Sequence, residues 1–148
     1  MKSITVLLIM FLLASARVTF SNQEDERVIK ALEKISNITP EGREVLKQVH
    51  EMRPLINDCP ATKSLIDIVQ EHISNKGAYN IFPIGWYAQK KKTSGNWKIA
   101  LYHKDYQKNY QTAEWEYNPK TKELYSFEFL NAPTFWTEEG RKKPCVNR

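Results

Sequence analysis

The chain has 148 residues, 41% of them hydrophobic and 11% aromatic, which is enough for one buried core, too little for two, and excludes a disordered chain. Its 22 basic and 17 acidic residues leave a formal charge of +5, compatible with an anionic partner without naming one. Walker-type glycine loops, G-x-G-x-x-G, H-E-x-x-H, C-x-x-C and G-x-S-x-G are all missing, which removes the usual carriers of nucleotide, zinc, thiol-redox and serine-hydrolase chemistry.

Residues 1–16 read as a signal peptide. Lys2 gives a positive start, residues 4–13 an apolar run shorter than the roughly 20 residues that span a bilayer, and Ala14-Ser15-Ala16 a small-residue cleavage site. Cleavage is expected after Ala16, with Ser21 as the alternative, giving a secreted or periplasmic protein with no membrane span in the mature chain. Residues 17–148 then form a single α+β domain, with no repeat, low-complexity tract or interdomain linker.

Three helices are expected first. Asn22 can cap a helix whose first turn holds Glu24, Asp25 and Glu26, with Val28, Ile29, Leu32 and Ile35 as the stripe of an amphipathic lid. Thr39-Pro40 is a cap and first-turn pair for a second helix carrying Val45, Leu46, Val49 and Met52, which ends before Pro54, with His50 half-exposed beside Val49. Asn37-Ile38-Thr39 is a formal N-glycosylation sequon, but Pro40 follows it directly and modification is not expected. Pro60 opens a third helix with Leu65, Ile68, Val69, His72 and Ile73 on its apolar stripe and Gly77 as its stop. It should lie directly across the sheet, with His72 as a core histidine.

Residues 81–130 read as one antiparallel sheet. Trp97, Ile99 and Leu101 alternate with polar or small residues, the period-2 signature of a strand buried on one face. Placing Ile99 opposite Trp115 sets Leu101 against Ala113, Trp97 against Tyr117, and Lys98 against Glu116 on the other face. A turn at residues 118–122 returns a third strand, 123–130, with Trp115 opposite Tyr125 and Phe127 at Ala113. Upstream, Ile84, Trp86 and Ala88 join the core face beside Leu101, Ile99 and Trp97. Three N-terminal helices packed on one face of a four-stranded meander resemble the layout of cystatin-like and NTF2-like domains, and of PepSY-like ones. The resemblance is one of layout, because the glutamine-valine-glycine hairpin motif of cystatins is missing.

By these registers the open face carries Tyr87, Lys98, Glu116 and Leu124 in one row, then Gly85, Ala100, Glu114 and Ser126, then Tyr102, Thr112 and Glu128. It reads either as a solvated surface with a Lys98–Glu116 pair or as a shallow groove. Basic residues concentrate in Lys90, Lys91 and Lys92, in Lys104 and Lys108, and in Arg141, Lys142 and Lys143. Cys59 and Cys145, each beside a proline, are the only cysteines, and in an exported chain they are expected to form a disulfide.

Three functions follow as expectations. The leading one is a binding module for a protein or peptide, with an inhibitor or immunity-type partner as one form of it, using Tyr87, Lys98, Tyr102, Glu114 and Glu116 with the aromatic loop at Phe135 and Trp136. The alternatives are a polyanion binder (nucleic acid, anionic glycan or lipid) working through Lys90 to Lys92 and Arg141 to Lys143, and a hydrolase using Glu114, Glu116 and Glu128 as paired carboxylates. No cofactor is expected, and no metal site, since His50, His72 and His103 lack ligand spacing.

Overall fold

The computed structural model describes residues 23–56, 59–74 and 80–126. The expected signal peptide, Asn22, Gly77, Phe127, Glu128, the Phe135-Trp136 loop, Arg141, Lys142, Lys143 and Cys145 lie outside these residues. Helix α1 spans residues 23–36, α2 Pro40–His50 and α3 Leu65–Ser74. The strands are β1 Leu55–Ile56, β2 Cys59–Pro60, β3 Phe82–Lys90, β4 Trp97–Lys104, β5 Tyr110–Asn118 and β6 Glu123–Ser126. The architecture is α+β, as the pattern of the sequence implies.

Helix α2 starts where the cap chemistry places it. Thr39 Oγ1 accepts the Gly42 N–H at 3.0 Å, and Pro40 occupies the first turn, where its missing N–H costs nothing. Helix α3 begins five residues later than expected, at Leu65 rather than Pro60. Ser64 is its cap: the hydroxyl accepts the Asp67 N–H at 3.3 Å and donates to the Asp67 carboxylate at 2.6 Å. Pro60 instead lies in β2, the terminal strand of the sheet, where a residue without an N–H is tolerated.

The sheet has the order β2-β1-β6-β5-β4-β3. Strands β3 to β6 are the antiparallel meander, and the two-residue β1 adds to it, parallel to β6. Between β4 and β5 the register is the expected one, Trp97 to Tyr117, Ile99 to Trp115 and Leu101 to Ala113.

Two neighbouring registers differ from expectation. An irregularity between Pro83 and Gly85 puts Trp86 opposite Leu101 and Ala88 opposite Ile99, and it sends Ile84 to the other face, against Ala100 and Tyr102. Strand β6 is slipped by one residue, with Trp115 opposite Ser126 and Tyr117 opposite Leu124. Leu124, fully buried, is therefore a core residue and leaves the open face. A one-residue slip exchanges the two faces of a strand.

The main core lies between this sheet and two helices. Val45, Leu46 and Val49 of α2 and Leu65 and Val69 of α3 pack with Ala88, Trp97, Ile99, Leu101, Ala113, Trp115, Tyr117 and Leu124. Helix α1 does not join them, so the expectation of three helices on one face is corrected. Its buried Ala31 and half-buried Ile35 sit on the opposite face with Ala100, Tyr102, Ile84, Tyr87 and Tyr110. A Cβ on Gly85 would come within 2.7 Å of Ile35 Cδ1, so glycine is what lets α1 approach β3 here. Strands that carry apolar or small residues on both faces, as β4 does with Ala100 and Tyr102, are covered on both sides.

Candidate functional site

The sheet face turned away from α2 and α3 carries the expected binding residues, and α1 divides it. The observed rows on that face are Phe82–Lys104–Tyr110, Gly85–Tyr102–Thr112, Tyr87–Ala100–Glu114 and Gln89–Lys98–Glu116–Tyr125. Helix α1 crosses the first two and reaches the third at Ala100 and Tyr87. Glu24 Oε1 accepts the Tyr110 N–H at 2.6 Å, Ile35 meets Gly85, and the Lys34 amine stands 6.0 Å from the Tyr87 ring centroid.

Tyr102 is consequently buried rather than offered to a ligand. Its ring stacks 6.1 Å from that of Tyr110 and lies 6.3 Å from that of Tyr87. Burial first, then Tyr110, Tyr87 and Glu114, push its phenol up to about 12, so it stays neutral and serves as packing under α1.

Lys98, Glu114 and Glu116 lie in the last two rows. Lys98 and Glu116 are direct cross-strand neighbours, yet Lys98 reaches diagonally to Glu114. Glu116 is held by Lys91 and by Asn96 Nδ2, which donates to it at 2.6 Å. Burial alone would raise the Glu116 carboxyl; the hydrogen bonds from Lys91 and Asn96 and the Lys91 charge outweigh it and hold the group below the usual carboxylate range. A glycosidase-type general acid needs a carboxyl raised toward neutrality, and Glu116 is moved the other way.

The lysine turn is partly neutralised as well. Lys90 pairs with Glu41 at 3.3 Å and Lys91 with Glu116, while Lys92 is exposed and makes no ion pair among the described residues. At the other end of the sheet the Lys108 amine lies 3.0 Å from the centroid of the Phe82 ring, a cation–π contact within the fold.

Each histidine is packed into the structure. His72 is 4% exposed, with Nδ1 2.8 Å from the Ile68 carbonyl oxygen, so the core reading holds. His103, also buried, is lowered in pKa by burial, with His72 adding to the effect against the Lys104 backbone and Asp105. His50 packs 4.5 Å from Trp86, and burial lowers its pKa against the opposing charge of Glu51.

Both lowered histidines are neutral in the fold and bind protons more readily when unfolded. Their contribution to stability is therefore complete above about pH 6.5 and is lost as pH falls from there toward the folded values. The lowered carboxyls of Glu116 and Asp105 add a second loss at more acidic pH. Urea midpoints between pH 8 and 4.5 should be level at first and decline below about pH 6.5. A flat profile down to pH 5 would contradict this placement of the histidines.

Sequence reasoning missed two features. The first is the outward side of α1: Ile29 and Leu32 are exposed rather than turned to the sheet. Val28, Ile29, Ala31, Leu32 and Ile35 make a stripe wider than one helix face, which is a legible signal. The second is that Lys120 and Lys122 share an end of the sheet with Lys90 to Lys92. Alternate turns of a meander always emerge on the same side. Among the described residues no group of three or more His, Cys, Asp or Glu could hold a metal ion, and no helix is long and apolar enough to cross a membrane. Compared with known proteins, the chain matches no family model, no curated protein and no solved structure.

Proposed function

We propose that the protein is a small exported module that binds another protein, in the manner of an inhibitor or immunity partner, through α1 and the end of the sheet that α1 crosses. The supporting observation is the exposure of four large apolar side chains: Ile29 55%, Leu32 50%, Phe82 39% and Tyr106 51%. Tyr106 is in the β4–β5 turn and Phe82 opposes Lys104 beside it, next to the Tyr110 N–H that Glu24 of α1 holds. At 100° per residue Leu32 projects about 160° away from Lys34, and Lys34 is the side chain near Tyr87. Leu32 thus leans toward the Phe82 row. Exposed apolar groups brought together at one end of a small domain mark a contact surface.

The export part of this reading rests on the character of residues 1–16, and any contribution of Phe135 and Trp136 rests on sequence alone. The charged rows fit a binding role better than a catalytic one, since Glu114 and Glu116 each face a lysine.

The test uses the mature chain as bait in the extracellular fraction of its native source, beside Leu32→Asp and Tyr106→Ala baits. A protein retained by the parent and weakened at least about tenfold by these substitutions is expected, because apolar anchors dominate such interfaces. Equal retention by all three baits, or a parent that retains only a small molecule, would sink the reading.

A further inference from the structure

The three hairpin turns of the meander each contain a residue with positive φ: Gly95 at 75°, Lys108 at 69° and Lys122 at 56°. Glycine takes this conformation freely, while a side chain there is strained. For Lys108 the amine has a use within the fold, over the Phe82 ring. For the Lys122 side chain there is none: the backbone N–H closes the turn by donating to the Asn118 carbonyl at 2.8 Å, as a glycine N–H would, while the exposed amine makes no hydrogen bond or ion pair among the described residues. A lysine kept at a strained position where glycine would close the same turn points to a use for its side chain outside the fold.

Its surroundings indicate which function. The β3–β4 and β5–β6 turns lie at the same end of the sheet, and their centres are two strand spacings apart, about 10 Å. They present Lys90, Lys91 and Lys92 on one side and Lys120 and Lys122 on the other. Glu41 and Glu116 hold the first two. Lys92, Lys120 and Lys122, all exposed, are left without an ion pair among the described residues. The aromatic residues nearest these turns, Trp97 and Tyr117, are 3% and 6% exposed, so no stacking platform for bases exists among them.

We infer that this lysine-lined end binds a sulfated polysaccharide, a linear polyanion recognised by the spacing of its charges. The choice of glycan over single-stranded nucleic acid rests on the lack of a stacking residue in these turns, and over duplex on the export reading. The surface is separate from the apolar one at the opposite end of the sheet, so either can fail without the other.

The probe is heparin, with duplex DNA of similar charge density and uncharged dextran as comparisons, against the full mature chain. Lys122→Gly should leave the melting temperature unchanged or higher, weaken heparin binding several-fold, and lower the log–log salt slope by about one. Lys120→Ser should weaken heparin binding likewise, and Lys108→Gly at the other end should leave it unchanged. Tighter binding to DNA than to heparin overturns the choice of ligand. Equal losses for Lys108→Gly and Lys122→Gly, an unaltered affinity for Lys122→Gly, or a fall in its melting temperature overturns the site.

Discussion

Trp115→Ala is expected to remove about 3–5 kcal/mol of stability, a large part of the roughly 5–15 kcal/mol that holds a domain of this size. Trp115 is 3% exposed, pairs with Ile99 across β4 and β5, and lies 5.7 Å from Trp86, whose other neighbour is His50 of α2. The indole therefore joins the sheet to the helix layer. Alanine would leave a cavity floored by the β4, β5 and β6 backbones, which cannot collapse into it without breaking ladder pairs. Urea denaturation should show a lowered midpoint with an unchanged slope. A loss below about 1 kcal/mol would mean that the core between sheet and α2 is not the main source of stability.

The same residues explain what the sequence could and could not convey. The β4–β5 register was legible because Trp97, Ile99 and Leu101 meet Tyr117, Trp115 and Ala113 with charged partners at the intervening positions, so that a shifted pairing would bury Lys98 or Glu116. At β6 the constraint is weaker. Leu124 and Tyr125 are both able to face a core, and only packing selects Leu124. The irregularity at Pro83 and Gly85 resists sequence reading for a related reason: Ile84 and Trp86 suit either face, and what decides is that Ile35 of α1 needs the space over Gly85.

Short elements and long side chains account for the remaining differences. Strands β1 and β2 have two residues each, too few to show any period. Lys98 faces Glu116 in register but spans to Glu114 on the diagonal, within the reach of a long side chain. Such a choice is made by the competing donors Lys91 and Asn96 around Glu116, which arrive from the β3–β4 turn. Partner and substrate class stayed out of reach in the sequence because exposed apolar residues such as Ile29 and Leu32 look the same, in a linear pattern, as buried ones.

We propose that Cys59 pairs with Cys145, and reduction of that bond is then expected to cost about 4–5 kcal/mol, the chain-entropy value for closing a loop of roughly 90 residues. The location of Cys59 makes the local consequence specific. It lies half-buried in β2, the terminal strand of the sheet, opposite Ile56 of β1. Strand β1 in turn meets β6 through the pair Leu55 and Tyr125. Two strands of two residues each hold little by hydrogen bonding alone, so a covalent tie at their outer edge would fix the side of the sheet that the ladder leaves weakest. Reduction should therefore expose β1 and β2 amides to hydrogen exchange well before those of β4 and β5, and Cys59→Ser should reproduce both effects. Non-reduced mass spectrometry of the protein isolated without reductant checks the pairing directly: a mass two hydrogens short of the dithiol is expected, and two alkylatable thiols would refute it.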